Sequence, residues 1–250
     1  MADTNKFPSE VVDLPSKGKV YPKDSPLANG KIELKYMTAK EEDILTSENL
    51  IKKGMVITKL LDSLILTEGV TTEDLVLGDK NGVMVAARIL AYGPEYVADV
   101  QHPKTGQKHT FTFDLTECPF KKIPDDLDDN DFEFELPISK HKIKFKLLTG
   151  KDENDIDKEL KSINKVNPIA SPEITTRMRY MILSVDGNDK QATINDFSQN
   201  MLARDALAFR SEIKRISPDI DMSTEVEMGG EMVTVTIPMT TNFFWPNTQV

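Results

Sequence analysis

The sequence predicts an α+β protein in which both halves of the chain carry helices and end in small antiparallel β-hairpins. Two patterns lead to this fold class. Apolar residues recur at helical spacing in segments such as "MVITKLLDSLIL" and "MLARDALAFRSEIKRI". In other segments, including "EYVADVQ" and "KHTFTFDL", apolar and polar residues alternate as they do in a half-buried strand. A chain of 250 residues is long enough to bury a sizeable core.

The first predicted element is a stiff N-terminal segment rich in proline and glycine. Pro15, Gly18 and Pro22 are followed closely by Pro26 and Gly30. Two short strands, "KGKVYP" and "GKIELKY", are predicted on either side of a turn at the last two of these residues. The segment matches no catalytic motif, so its rigidity requires another explanation.

Three helices are predicted in the remainder of the first half. Thr38 and Glu41 form a capping box, in which the threonine caps the first helix and the glutamate reaches back to the cap amide. The segment "MVITKLLDSLIL" forms the second helix. Asp79 is predicted to cap the third, "KNGVMVAARILAYG", and the period changes after Pro94.

Hairpins are predicted in both halves. The first consists of "EYVADVQ" and "KHTFTFDL", joined by the turn "HPKTG". A charged linker, "KKIPDDLDDND", leads into a second, "FEFELPI" and "KIKFKLL", and we place a domain boundary near Pro124, between residues 1–123 and 124–250. The helices "SPEITTRMRYMIL" and "MLARDALAFRSEIKRI" precede a third hairpin, "EVEM" and "EMVTVTIPM" around "GG". The first and third hairpins are similar enough to leave an internal duplication open.

Composition argues against several functions. The net charge of −10 is unfavourable for nonspecific nucleic-acid binding, which needs clustered lysine and arginine. No segment is apolar over the roughly 20 residues that a membrane-spanning helix requires, and the first residues do not resemble a signal peptide. Cys118 is the only cysteine, so neither an intrachain disulfide nor a cysteine-based zinc site can form. We therefore expect a cytoplasmic protein that binds neither nucleic acid nor membrane.

The sequence contains no recognisable catalytic or metal-binding motif. The acidic run over residues 125–131 lacks the glycine and the bidentate acid that an EF-hand calcium loop needs. His102 and His109 could approach each other across the first hairpin, but no third ligand has matching spacing. We therefore predict no catalytic residue, no metal and no cofactor. The competing class is a metal-dependent hydrolase built around these histidines or His141.

A cluster of aromatic residues follows the last hairpin. Phe243, Phe244 and Trp245 lie together in "FFWP". One interpretation is that they pack back onto the core and fix this part of the chain. The other is that they form a docking site, since exposed aromatic side chains are frequent interface anchors.

Several segments are similar to those of one protein family. "DLPSKGKVYP" and "IELKYMTAKEEDILTSENLIKKGMVITKLLDSLI" are the most specific, while "RILAYGPEYVADV" and "TTNFFWP" extend the similarity over nearly the whole chain. They resemble the baseplate hub and hub-assembly proteins of T-even-like, contractile-tailed bacteriophages. Many relatives carry Cys-x-x-Cys pairs in the turns of the first and last hairpins, where this chain has "HPKTG" and "EMGGE". The resemblance thus implies zinc-ribbon-like hairpins that lack the cysteines and are held by packing instead.

The resemblance also implies a non-enzymatic role in assembling the tail baseplate hub, through contacts with other tail and baseplate hub proteins. An assembly chaperone in the host cytoplasm is the first interpretation, because high negative charge suits a soluble factor. A permanent minor subunit of the hub is the alternative. We expect partner contacts at two places, and the first of them is preorganised by its stiff, turn-rich backbone. They are Leu14, Pro15, Gly18 and Tyr21 in the N-terminal segment, and Phe243, Phe244 and Trp245 in the aromatic tail.

Overall fold

A computed structural model describes residues 8–167, 172–239 and 243–245, and it confirms the α+β fold class. The helices are α1 (Ala39–Thr46), α2 (Glu48–Lys53), α3 (Val56–Leu64), α4 (Leu77–Tyr92), α5 (Gly150–Val166), α6 (Glu173–Met181), α7 (Gln191–Asn200) and α8 (Ala203–Ile216). The strands are β1 (Ser9–Asp13), β2 (Lys31–Lys35), β3 (Glu95–Gln101), β4 (Lys108–Asp114), β5 (Phe132–Glu135), β6 (Lys142–Phe145), β7 (Ile182–Val185), β8 (Ser223–Met228) and β9 (Glu231–Thr236).

All pairs between these strands are antiparallel, and the sheets are small. β1 pairs with β2, β3 with β4 and β8 with β9, while β5, β6 and β7 form a three-stranded sheet in that order. The three predicted hairpins, β3–β4, β5–β6 and β8–β9, are therefore confirmed. In β3, every second side chain from Tyr96 to Val100 is buried, which matches the period of two in the sequence.

The N-terminal segment differs from its prediction. The stretch "KGKVYP" forms turns, and β2 pairs instead with β1, which precedes that stretch. Lys17 and Gly18 have positive φ angles of 54° and 80°, and residues in the left-handed region cannot continue an extended strand. The prolines and glycines thus build a compact loop over residues 14–30, which we call the N-terminal loop.

The helix α4 begins earlier than predicted. Its N-cap is Val76, so the prediction that Asp79 caps this helix is wrong. The Asp79 carboxylate accepts hydrogen bonds from the N-terminal loop instead of from the first amides of the helix. The capping box of α1 is confirmed, since the Glu41 carboxylate accepts from the Thr38 amide at 3.0 Å and from the Thr38 hydroxyl at 2.6 Å.

The sequence patterns do not predict α2, α7 or β7. The helix predicted over "SPEITTRMRYMIL" ends at Met181, and the residues that follow form β7 beside β6. Periodicity alone cannot assign so short an apolar run to a helix or a strand. Pairing with β6, which buries Ile182 and Val185, decides in favour of the strand.

Residues from both halves of the chain form one hydrophobic cluster. The Tyr96 hydroxyl on β3 donates to the Pro238 carbonyl oxygen at 2.9 Å. Gly78, at the start of α4, lies so close to the Pro218 carbonyl group that a Cβ atom would overlap it. The domain division near Pro124 stays a prediction, and these contacts join the two ranges that it separates.

The hairpins β3–β4 and β8–β9 bury apolar side chains on one face each. Val100 and Phe113 are buried in the first hairpin, and Val233 is buried in the second. The strands β3 and β9 are in contact, and the Lys104 amine in the first turn lies 3.3 Å from the Glu231 carboxylate of the second hairpin. The packing of these apolar faces holds the two hairpins beside each other, and the exposed ion pair adds little.

Candidate interaction site

The first group of predicted contact residues lies inside the protein. Leu14, Pro15, Gly18 and Tyr21 are all buried. Pro15 packs its ring against Gly82 of α4, where an added Cβ atom would meet the ring. These residues build the N-terminal loop rather than line its exterior. Their part in partner binding stays a prediction, and in this fold they would act through the shape of the loop.

Gly18 is required by the geometry of the N-terminal loop. Its φ of 80° lies in the left-handed region, which glycine adopts without a steric penalty. A Cβ atom at this position would also overlap the Ala28 carbonyl oxygen on the opposite side of the loop. The loop therefore closes tightly because this residue has no side chain.

A buried hydrogen-bond network joins the loop to α4. The Asp79 carboxylate accepts hydrogen bonds from the Ser16 amide at 2.8 Å, the Ser16 hydroxyl at 2.6 Å and the Tyr21 hydroxyl at 2.7 Å. The Tyr21 oxygen accepts in turn from the Val76 amide at 3.1 Å. Burial raises the pKa of the Asp79 carboxyl. Burial, followed by the Asp79 charge, also raises the pKa of the Tyr21 hydroxyl well above its ordinary value.

Sequence reasoning misses this network because its members are far apart in the chain. Ser16 and Tyr21 precede Asp79 by 63 and 58 residues. The available signal is the position of Asp79, which shares a helix face with the apolar residues Val76 and Val83. An acidic residue on an apolar face indicates a buried hydrogen-bond partner elsewhere in the chain, but it does not say which.

The second group of predicted contact residues divides between the core and the surface. Phe243 and Phe244 are buried, and their rings meet edge-on with centroids 5.4 Å apart. The Phe243 ring also lies 5.0 Å from that of Tyr96 on β3. Trp245 is partly exposed. The two phenylalanines therefore pack onto the core, while the tryptophan reaches the surface.

An apolar groove lies beside Trp245, and we call it the tail groove. Its volume is about 290 Å³, and it is bounded by α2, α3, α4 and the aromatic tail. The residues that line it are Ile51, Gly54, Val56, Ile57, Met84, Met239, Phe243, Phe244 and Trp245. Ile51 is 52% exposed, and Met55, next to the groove, is 40% exposed. Flexible methionine side chains allow a surface of this kind to adapt to a partner.

A family model described as T4 bacteriophage base plate protein matches residues 7–244. The chain belongs to this family. No curated protein and no solved structure is significantly similar to the chain. The resemblance noted in the sequence is thus confirmed at the level of a T4-like baseplate protein. The match covers the N-terminal loop and extends into the aromatic tail.

Two of the three histidines of this baseplate protein, His102 and His109, lie on the β3–β4 hairpin, and His141 lies between β5 and β6. His109 is opposite Val100 in the β3–β4 ladder, whereas His102 lies in the turn and its Nδ1 accepts a hydrogen bond from an amide of that turn at 3.1 Å. His141 pairs instead with Asp186 at 2.6 Å. Among the described residues, no group of three His, Cys, Asp or Glu side chains could hold a metal ion.

Cys118 of the baseplate protein is half-buried at the end of the first hairpin. Burial, together with nearby carboxylates, raises the pKa of its thiol. The thiol therefore stays protonated at neutral pH, and a protonated thiol is a weak nucleophile.

In the part of the chain that the structure describes, no helix is both long enough and apolar enough to cross a bilayer.

Proposed function

We propose that this baseplate protein acts by protein–protein association during assembly of the tail baseplate hub, as an assembly chaperone rather than an enzyme. Membership of the baseplate family supports the setting, and the tail groove supports the mode of action. The proposed partners are other tail and baseplate hub proteins, which the chain meets in the host cytoplasm.

The observation that carries the proposal is the tail groove. It is apolar and partly exposed, with Ile51 and Trp245 both in its lining. Tryptophan in a well-packed pocket is among the side chains that contribute most to binding free energy. Phe243 and Phe244 are buried directly before Trp245 and fix its position in advance, which lowers the entropy cost of binding.

The distribution of exposed apolar side chains supports a transient role. Permanent subunits bury large, contiguous apolar interfaces. In the described part of this chain, the large apolar side chains that are exposed are spread over many elements. They are Val11, Ile51, Met55, Leu66, Val97, Ile138, Val166, Ile174, Leu183, Leu202, Leu207 and Met232. A chaperone that docks through one groove fits this pattern better than a permanently embedded subunit.

The groove is tested by Ile51→Asp, which places a charge on an apolar contact while leaving the core intact. We expect the yield of infectious particles, from phage that lack this gene and are complemented with the variant, to fall at least about tenfold, as when about 1.4 kcal/mol of binding free energy is lost. Val166→Asp is the matched control, because Val166 is 88% exposed at the end of α5 and does not line the groove. Equal yields from the two variants would contradict the proposal.

The choice between chaperone and permanent subunit is tested by quantitative mass spectrometry of purified particles beside the infected-cell lysate. A protein that is abundant in the lysate and missing from the particles acts as a chaperone. A fixed copy number per particle, roughly a multiple of three or six as rotational symmetry would give, would instead establish a permanent hub subunit.

A further inference from the structure

Within the described residues, the strand β1 leaves one edge of its sheet open. In an antiparallel pair, residues whose backbone groups bond the partner strand alternate with residues whose groups point away from it. The Leu14 amide donates to Gly30 at 2.7 Å, and the Tyr36 amide donates to Pro8 at 3.0 Å, which defines the bonded positions in the β1–β2 register. Among the described residues, no backbone group pairs with the positions between them. These outward-facing positions are Ser9, Val11 and Asp13.

The opposite edge of this sheet is already covered. On β2, the Glu33 carbonyl oxygen accepts from the Leu66 amide at 2.9 Å, and the Glu33 amide donates to the Thr67 hydroxyl at 2.9 Å. An added strand can therefore join this sheet at β1. The strand β1 contains no proline, lysine or bulge, its only charged side chains are the acidic Glu10 and Asp13, and its Val11 side chain is 60% exposed.

We propose that the β1 edge binds an extended segment of a partner protein, in which basic and apolar residues alternate, as an added β-strand. Main-chain hydrogen bonds to the outward-facing groups supply affinity, and side chains on the edge supply specificity. Val11 offers an apolar contact on one face of β1, while Glu10, on the opposite face, favours a cation at the neighbouring position of the incoming strand. The site shares no residue with the tail groove and does not depend on the proposed chaperone role.

The charge of β1 distinguishes this partner from a second copy of the chain. The Lys31 amine lies 3.6 Å from the Asp13 carboxylate and partly neutralises it. Among the described residues, the Glu10 carboxylate meets only the uncharged Tyr36 hydroxyl, at 3.2 Å. Two β1 strands side by side would bring the carboxylates of both into one ladder, and each chain has a net charge of −10. A basic strand relieves this repulsion, and a second copy increases it.

Hydrogen exchange of the full chain, resolved by residue with NMR, tests the proposal. The probe is an acetylated and amidated peptide of alternating lysine and valine, at about 1 mM, so that weak binding is still detected. We expect exchange of the Ser9, Val11 and Asp13 amides to slow at least about tenfold, while the Leu14 amide, already bonded to Gly30, changes little. Unchanged exchange at the three amides would overturn the proposal. Protection that grows with protein concentration without peptide would overturn it in favour of a second copy.

A pair of matched variants separates edge binding from nonspecific attraction. Val11→Pro removes one outward-facing amide and leaves the β1–β2 ladder intact, and we expect it to weaken peptide binding at least about tenfold. Val97→Pro is the control, because Val97 is 61% exposed and its amide also faces away from the partner strand. The outer edge of β3 is not free in the same way, because the Glu95 carbonyl oxygen on that edge already accepts a hydrogen bond from Arg88 at 3.1 Å. We therefore expect Val97→Pro to leave peptide binding unchanged.

Glu10→Lys serves as a second variant if Val11→Pro does not fold. It keeps every backbone group and reverses one charge on the edge, so we expect weaker binding of the basic peptide. Binding that is equal in the wild type and in a folded variant of either kind would refute the proposed site.

Discussion

Replacing Tyr21 by phenylalanine removes one oxygen atom from the buried network between the N-terminal loop and α4. That oxygen donates to the Asp79 carboxylate at 2.7 Å and accepts from the Val76 amide at 3.1 Å. A hydrogen bond to a charged group contributes about 1.5–3 kcal/mol, and a buried donor left without an acceptor costs about 1–3 kcal/mol. The carboxylate keeps both bonds from Ser16, so part of its loss is compensated. We therefore expect the free energy of unfolding to fall by about 2–4 kcal/mol.

Urea unfolding measures this change, followed both by the fluorescence of Trp245, the single tryptophan, and by circular dichroism. Tyr36→Phe is the matched control. Its hydroxyl also bonds a carboxylate, that of Glu10 at 3.2 Å, but on the exposed surface, so we expect a change within about 0.5 kcal/mol. If Tyr21→Phe were no more destabilising than Tyr36→Phe, the argument that the network holds the loop to α4 would be refuted.

Two further predictions concern the same region. Burial raises the pKa of the Asp79 carboxyl in the folded state above its pKa in the unfolded chain. The buried charge therefore lowers the free energy of unfolding in full above the folded-state pKa, and this loss is relieved as the pH falls toward the ordinary pKa of an aspartate. Urea unfolding should therefore show the wild type gaining stability relative to Asp79→Asn between about pH 7 and about pH 4, and a constant difference would contradict this. Gly18→Ala should lower the free energy of unfolding by about 2 kcal/mol or more beyond the loss in Gly187→Ala, because both glycines have φ of 80° but only Gly18 faces a backbone carbonyl group. Equal melting temperatures of the two variants would show that the close approach to Ala28 is unimportant.

Local signals in the sequence predict local structure well in this chain. The capping box of Thr38 and Glu41 requires only neighbouring residues, and it forms at the predicted place. The alternation in β3 and β4 likewise needs only a short turn between the strands, and both strands are where it predicts. In these segments, the interactions that determine the structure lie within the segment that shows the pattern.

The N-terminal segment shows why the remainder could not be predicted in this way. Its prolines and glycines indicate turns, and the absence of helical periodicity favours an exposed segment. Its burial depends on Asp79 and Gly82 of α4, which no pattern within the segment reveals. The aromatic tail is similar, because the partners of Phe243 lie far away in the sequence, on β3. The sequence identifies both segments as unusual but leaves open which side chains face the core.

The positions of the tail-groove residues along the chain have a consequence for the order of events during synthesis. Residues 51–57 and Met84 line the groove together with Met239 and residues 243–245, so a nascent chain has no complete groove until residue 245 has left the ribosome. The contacts of Gly78 with Pro218 and of Tyr96 with Pro238 also join residues that are far apart in the sequence, and contacts of this kind form late in folding. A partner that recognises the groove would therefore distinguish chains that include the aromatic tail from chains that do not yet include it.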